Sequence, residues 1–234
     1  MIISLISQKG GVGKSALARL LAVEIAKSGW TVKIADLDPA QGTSTKWKAR
    51  RDQAGLQPDI AVEKFRTVER ALKEADRYDL MILDGPAHAE RGGRDMAAAS
   101  DLVLLPTGYS LDDMEPQIEA AYELEDSGVA SDRLLFVFCR AKGSDAEDRA
   151  ARDYLRRARM QVADPVFPEL ASIRQAHAEG RAASEVPFPK VQVNKRIPRG
   201  VADGYEILAI RTRRKVPELL VEALQLLEEK YGKS

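Results

Sequence analysis

The sequence predicts an α/β fold, a doubly wound and mainly parallel sheet with helices on both faces. Short aliphatic and β-branched runs alternate along most of the chain with longer amphipathic stretches, the pattern of successive βα units. Several of the short runs, LMILD at 80–84 and LVLLP at 102–106, are apolar throughout rather than alternating, as in strands covered on both faces. The chain has 234 residues, enough for one large α/β domain with a real core.

Taken in order, the expected strands are 2–7, 31–36, 60–64, 80–84, 102–106 and 134–139. The expected helices between and after them are 15–28, 43–54, 67–75, 91–99, 112–127 and 145–159, each an amphipathic stretch following an apolar run. A last helix is expected over 219–231, with Pro217 near its start. Residues 186–204 hold three prolines and two glycines and read as a long loop or small excursion. With no internal repeat, low-complexity tract or linker, the simplest organisation is a single domain over 1–234 with a basic excursion at about 186–217.

Composition narrows the class further. The chain is 44% hydrophobic and 31% charged, with 36 Lys+Arg against 36 Asp+Glu, which excludes disordered, collagenous and disulfide-scaffold proteins. A single cysteine, Cys139, cannot form an internal disulfide and suits a reducing compartment. No apolar run approaches the roughly 18 residues of a bilayer span, and the first residues lack a basic n-region, so a cytoplasmic location is expected. The zero net charge conceals an asymmetry. Between Val186 and Pro217 stand eight basic residues (Lys190, Lys195, Arg196, Arg199, Arg211, Arg213, Arg214, Lys215) against Asp203 and Glu206, a segment of +6.

The strongest motif follows the first expected strand: Gln8-Lys9-Gly10-Gly11-Val12-Gly13-Lys14-Ser15. Its glycines let successive backbone N–H groups turn inward onto an anion, and the helix that follows places its positive end under the same charge. In such a loop Lys14 is placed to reach β- and γ-phosphates and the Ser15 hydroxyl to ligate Mg²⁺. The general phosphate-loop pattern requires glycine at position 8; this chain has Gln8 followed by a second lysine, Lys9. Lys9-Gly10-Gly11-x-Gly13-Lys14-Ser15 resembles the deviant Walker A loop of the ParA/MinD ATPases, closest to small plasmid-partition ParA proteins.

Two further segments fit that resemblance. Asp36-Leu37-Asp38-Pro39-Ala40-Gln41 resembles the family's first switch, and Asp84 with Gly85-Pro86 a Walker B site. Open α/β sheets bind ligands beyond the carboxyl ends of their strands, where these residues and the loop converge. The resemblance implies ATP and Mg²⁺ as cofactors. It implies nucleotide contacts at Lys9, Gly10, Gly11, Val12, Gly13, Lys14, Ser15, Ala16 and Arg140, and catalytic roles for Lys9, Lys14 and Asp38. Ser15, Asp36 and Asp84 form the implied metal site, with Asp84 acting through water, as suits a strongly hydrated ion, and Asp36 in support. Pro106 and Gly180 also fall where the family tends to place such residues. Cys139-Arg140 departs from the family's frequent Asn-Arg and leaves recognition of the base open.

Partner expectations follow. Lys9 implies an ATP-dependent homodimer in which it reaches the partner's phosphates. The +6 segment is a candidate footprint for non-specific DNA, and Arg149, Arg152, Arg156 and Arg159 share one expected helix face as a second. With the phosphate loop at residue 8, the chain resembles the small type that relies on a separate centromere-binding adaptor and acts at the nucleoid. A positioning or conjugative DNA-transfer ATPase with a protein cargo, or a non-hydrolysing nucleotide-gated binding protein, are the alternatives. Glu218, Glu222, Glu228 and Glu229 on the last expected helix argue against a membrane surface. Cys139 and Trp47 read as core residues, and His88 and His177 have no metal-ligand spacing.

Overall fold

The computed structural model describes residues 1–86, 90–141 and 144–186. The chain divides into two units, Met1–Pro189 and Lys190–Ser234, of which the second lies outside the described residues. So do His88, the expected helix at 219–231 and the eight basic residues of the +6 segment.

The first unit is a mostly parallel sheet between two helical layers. The elements are β1 (Ile2–Leu5), α1 (Lys14–Lys27), β2 (Val32–Asp36), α2 (Thr43–Gln53), β3 (Ala61–Lys64), α3 (Val68–Leu72) and β4 (Leu80–Asp84). They continue with α4 (Glu90–Ala99), β5 (Leu102–Thr107), α5 (Leu111–Asp126), β6 (Leu134–Ala141), α6 (Asp145–Arg157), β7 (Gln161–Val162), β8 (Phe167–Pro168) and α7 (Ala171–Ala178). The strand order is β3-β2-β4-β1-β5-β6-β7, with β8 on β6, and every described pairing is parallel. All six expected strands are present. The two-residue strands β7 and β8 and the helix α7 have no counterpart among the expected elements, because a two-residue pairing leaves no periodic pattern to read.

Apolar residues explain the layering. Leu17, Ala18, Ala22 and Val23 of α1, Trp47 of α2 and Ile173 of α7 pack on one face of the sheet. Val68 and Ala71 of α3, Met96 of α4, Met114, Ile118 and Leu124 of α5, and Leu155 of α6 pack on the other. β2 and β4 are buried along their whole length, taking Lys33 of β2 and the strand-end Asp36 and Asp84 into the interior with their apolar residues. Side-chain caps fix three helix starts: Thr67 accepts from Arg70 N–H, Ser110 from Asp113 N–H and Ser144 from Glu147 N–H. Because the strands run parallel, the loops after β1, β2 and β4 open along one edge. Register sharpens this: Leu5 lies opposite Asp84, and Asp84 opposite Asp36.

Among the described residues no helix is long and apolar enough to cross a membrane.

Candidate nucleotide site

The loop between β1 and α1 is built for close approach to a ligand. Gly11 and Gly13 have φ of +76° and +109°, values that side-chain-bearing residues rarely adopt. Gly13 forms the N-terminal boundary of α1, and a Cβ there would meet Cys139 Cβ at 3.3 Å. Thus Cys139 backs the loop as a buried thiol, its pKa pushed up to about 12 by burial, and has no reactive character. The turn out of β1 is held by Gln117 of α5. Its Nε2 donates to Ile6 O at 2.9 Å, and its Oε1 accepts from Gln8 N–H at 3.1 Å.

A cavity of about 540 Å³ opens beside this loop, its wall including the loop glycines, Lys14, Ser15, Arg19, Asp38, Thr43 and Gly85. Lys14 is 8% exposed, and burial lowers its pKa against the opposing pull of Asp84 and Asp38. Asp84 lies beneath the cavity. Its Oδ1 accepts from Ser15 Oγ at 3.1 Å and its Oδ2 from Ser44 Oγ at 2.7 Å. Burial raises the Asp84 pKa, offset by the Ser44 and Ser15 hydroxyls and by Arg19, with Asp36 adding to the rise. Ser15 Oγ also lies 2.9 Å from Thr43 Oγ1.

Asp36 anchors the backbone around it. Oδ2 accepts from Thr45 N–H at 3.0 Å and Thr45 Oγ1 at 2.8 Å, and Oδ1 accepts from Asp38 N–H at 3.2 Å. Its two oxygens thus hold Asp38 and the start of α2 in place. Asp38 accepts from Gln41 N–H at 3.1 Å and stands at the cavity wall.

Lys9 and Arg140 do not line the cavity that holds Lys14, although Lys14 Nζ donates to Lys9 O at 3.5 Å. They line a second cavity, with Val12, Tyr109 and Asp113, on the other side of the loop. Lys9 Nζ pairs with Asp113 Oδ1 at 2.9 Å. Arg140, at φ +56°, donates to Gly11 O at 3.1 Å and pairs with Glu169 at 3.3 Å, so it braces the phosphate loop from outside.

The arginine face expected on α6 divides. Arg149, Arg156 and Arg159 are exposed. Arg152 is turned into the fold: it pairs with Asp148 at 2.8 Å and donates to the carbonyls of Ala163 and Asp164 at 2.8 and 2.7 Å. The i, i+3 spacing that groups Arg152 with its neighbours does not see the β7–β8 segment it ties down.

Sequence reasoning passed over Thr43, Ser44, Thr45, Arg19, Asp113 and Gln117. The run of three hydroxyl residues behind Gly42 was the legible signal, since hydroxyls at a helix start serve either as caps or as ligands for carboxylates.

Comparison with known proteins settles the family. Residues 3–183 match the CobQ/CobB/MinD/ParA nucleotide-binding domain. The chain belongs to this ParA/MinD family. It is 31% identical over 137 residues to the maintenance of carboxysome distribution protein A of Gloeobacter kilaueensis, and 32% identical over 133 residues to the chromosome-partitioning ATPase Soj of Thermus thermophilus. These alignments take in 58% and 44% of this chain, and 62% and 53% of the relatives' own lengths. Among solved structures, the cell-division ATPase MinD of Pyrococcus furiosus matches with TM-score 0.64 and 22% identity over 81% of this chain and 92% of that one. MinD of Pyrococcus horikoshii, solved with Mg-ADP, matches with TM-score 0.62 and 20% identity over 80% of this chain and 88% of its own. At those identities the likeness is one of fold, and it agrees with the parallel sheet and flanking helices described above.

Proposed function

We propose that this ParA/MinD-family chain is an Mg-ATP-dependent ATPase that works as a nucleotide-switched homodimer in DNA partition. The observation that carries the reading is the convergence of Lys14, Ser15 and Asp38 on one cavity, with Asp84 hydrogen-bonded beneath it. The donor set suits magnesium. Among the described residues no three His, Cys, Asp or Glu side chains gather into a metal cage, and a hydroxyl with one carboxylate beneath it fits an ion that keeps most of its own water. Ser15 and Asp84 would hold it, and the ion would supply screening of phosphate charge.

The protein's residues contribute positioning and charge, which is most of what phosphoryl transfer requires. The loop N–H groups and Lys14 hold the β- and γ-phosphates. Asp38 orients the attacking water. Lys9 contributes its charge to the partner's nucleotide across the dimer. Non-specific DNA would be held by exposed basic residues, Arg149, Arg156 and Arg159 among them together with the +6 segment, and a centromere-binding adaptor would stimulate hydrolysis. Such a protein acts in the cytoplasm at the nucleoid.

The test is binding of non-specific duplex DNA with Mg-ATP, Mg-ADP or no nucleotide across a salt series. Tight, salt-sensitive binding with ATP alone supports partition. DNA binding indifferent to nucleotide refutes the switch. A second reading, positioning of a protein cargo, is favoured by the carboxysome-distribution relative, and ATP turnover without any DNA binding selects it. Lys14→Ala should abolish nucleotide binding, and retained affinity would overturn the site assignment. Asp38→Ala should trap the ATP dimer, and normal turnover in it would remove its role.

A further inference from the structure

We propose that Arg19 is a resident counter-cation for the buried Asp36 and Asp84 carboxylates, and that its charge makes divalent-cation binding conditional on nucleotide. The second half of the inference rests on the ATP-site reading above; the first does not.

Arg19 follows Ser15 by four residues, so it lies one turn deeper on the same face of α1. It reaches the wall of the cavity that holds Lys14, Ser15 and Thr43, yet is only 6% exposed. Its Nε has no hydrogen-bond partner among the described residues. A buried guanidinium is ordinarily consumed by an ion pair, and Arg51 nearby shows the ordinary case. Arg51 pairs with Glu185 at 2.7 Å and donates to the carbonyls of Pro58 and Gly180. Both arginines lie over the ring of Trp47, Arg51 at 5.3 Å and Arg19 at 5.8 Å, and the indole N–H is already given to Arg181 O, but among the described residues Arg19 has no ion pair of its own. A π face holds a cation in place while leaving its field available.

The carboxylates lie within that field: Ser15, one turn before Arg19 on α1, donates to Asp84 at 3.1 Å, and Asp84 lies opposite Asp36 in the sheet. Burial lowers the Arg19 pKa to about 10, with Asp84 and then Asp36 opposing the shift and Arg50 adding to it. The guanidinium therefore stays charged at neutral pH. His177, which also faces Arg19 and Arg50, is driven to about 4 by burial and by those two cations, so it is neutral there. Lys14, Arg19 and the half-buried Arg50 thus stand against Asp36, Asp84 and the half-buried Asp38, three cations against three carboxylates. A divalent ion entering by itself would leave two uncompensated positive charges in a poorly solvated site, which is costly. Arriving with a polyphosphate, the same ion is compensated. Removing the Arg19 charge leaves the site one unit negative and receptive to the bare ion.

The experiment titrates Mn²⁺ into the nucleotide-free protein and reads free ion by electron paramagnetic resonance. Wild type is compared with Arg19→Met, which keeps the length over Trp47 without charge, and Arg19→Lys, which keeps the charge. Arg19→Met should bind Mn²⁺ alone at least about tenfold more tightly than wild type, while Arg19→Lys should stay within about twofold of wild type. Equal affinity in wild type and Arg19→Met, or a lysine variant as tight as the methionine one, overturns the proposal. If Arg19→Met does not fold by circular dichroism, wild type decides alone. Mn²⁺ without nucleotide should leave its melting temperature unchanged, and a rise overturns the proposal. Loss of the ATP reading would be seen separately, as wild type failing to bind ATP while the Mn²⁺ comparison still reads.

Discussion

The Lys9–Asp113 ion pair sets a threshold for the proposed dimer. Lys9 cannot reach a partner's phosphate while it is bound to its own Asp113, which is itself held by Ser110 Oγ at 2.8 Å. The two side chains are 40% and 30% exposed, so the pair is well screened and contributes about 0.5–1 kcal/mol. Two such pairs must open per dimer, a cost of about 1–2 kcal/mol, or about 5–30-fold in the dimerisation constant. Asp113→Asn removes the charge while leaving the first turn of α5 its cap, since that cap is a backbone donation from residue 113 to Ser110 Oγ. Sedimentation equilibrium with a non-hydrolysable ATP analogue should show the variant dimerising more tightly by that factor at about 0.1 M salt. At about 1 M salt, where the ion pair is screened, wild type and variant should converge. Dimerisation unchanged or weakened at low salt would refute the reasoning, for Lys9 would then not be restrained by Asp113.

Three further outcomes follow from the fold. Arg51→Met strands the Glu185 carboxylate, which is 9% exposed, and should cost about 3–5 kcal/mol in urea unfolding; adding Glu185→Leu should recover much of it, and an additive loss would contradict the pairing. Gly180→Ala places a Cβ 2.3 Å from the Arg51 backbone nitrogen at φ +77°, so a loss of at least about 1–3 kcal/mol is expected, and a neutral effect would contradict the close approach. His177 has a folded pKa of about 4 against 6.5 unfolded, so above pH 6.5 it contributes nothing to pH dependence. As pH falls from 6.5 toward 4 the unfolded chain takes up the proton first, and stability drops. His177→Gln should remove about 1–2 kcal/mol of that drop, after allowance for the ring's partial exposure. Parallel pH profiles for wild type and variant would contradict the assignment.

The phosphate loop was legible because its function is local. Three glycines, a lysine and a serine within eight residues dictate both backbone and chemistry, and the continuous apolar runs at 80–84 and 102–106 declare strands buried on two faces. What escaped was relational. Asp36 and Asp84 carry equal signals in sequence, but strand register sets them side by side, and Thr45 then claims Asp36 while Ser15 and Ser44 claim Asp84. Gly180 is legible only as a family position; the physical reason for it is the backbone of Arg51, far away in sequence. Arg152 reads as surface charge until its carbonyl acceptors are known.

The helix α2 has both ends tied to different parts of the chain. Its first turn is moored through Ser44 and Thr45 to the two strand-end aspartates, and its last turn through Arg51 to Gly180 and Glu185. Eleven residues make a strut about 16 Å long between those anchorages. A stiff strut pinned at both ends transmits displacement instead of absorbing it. The carboxylates beneath the phosphate pocket and the backbone at 180–185, the last described stretch before the basic segment, are thereby one mechanical unit.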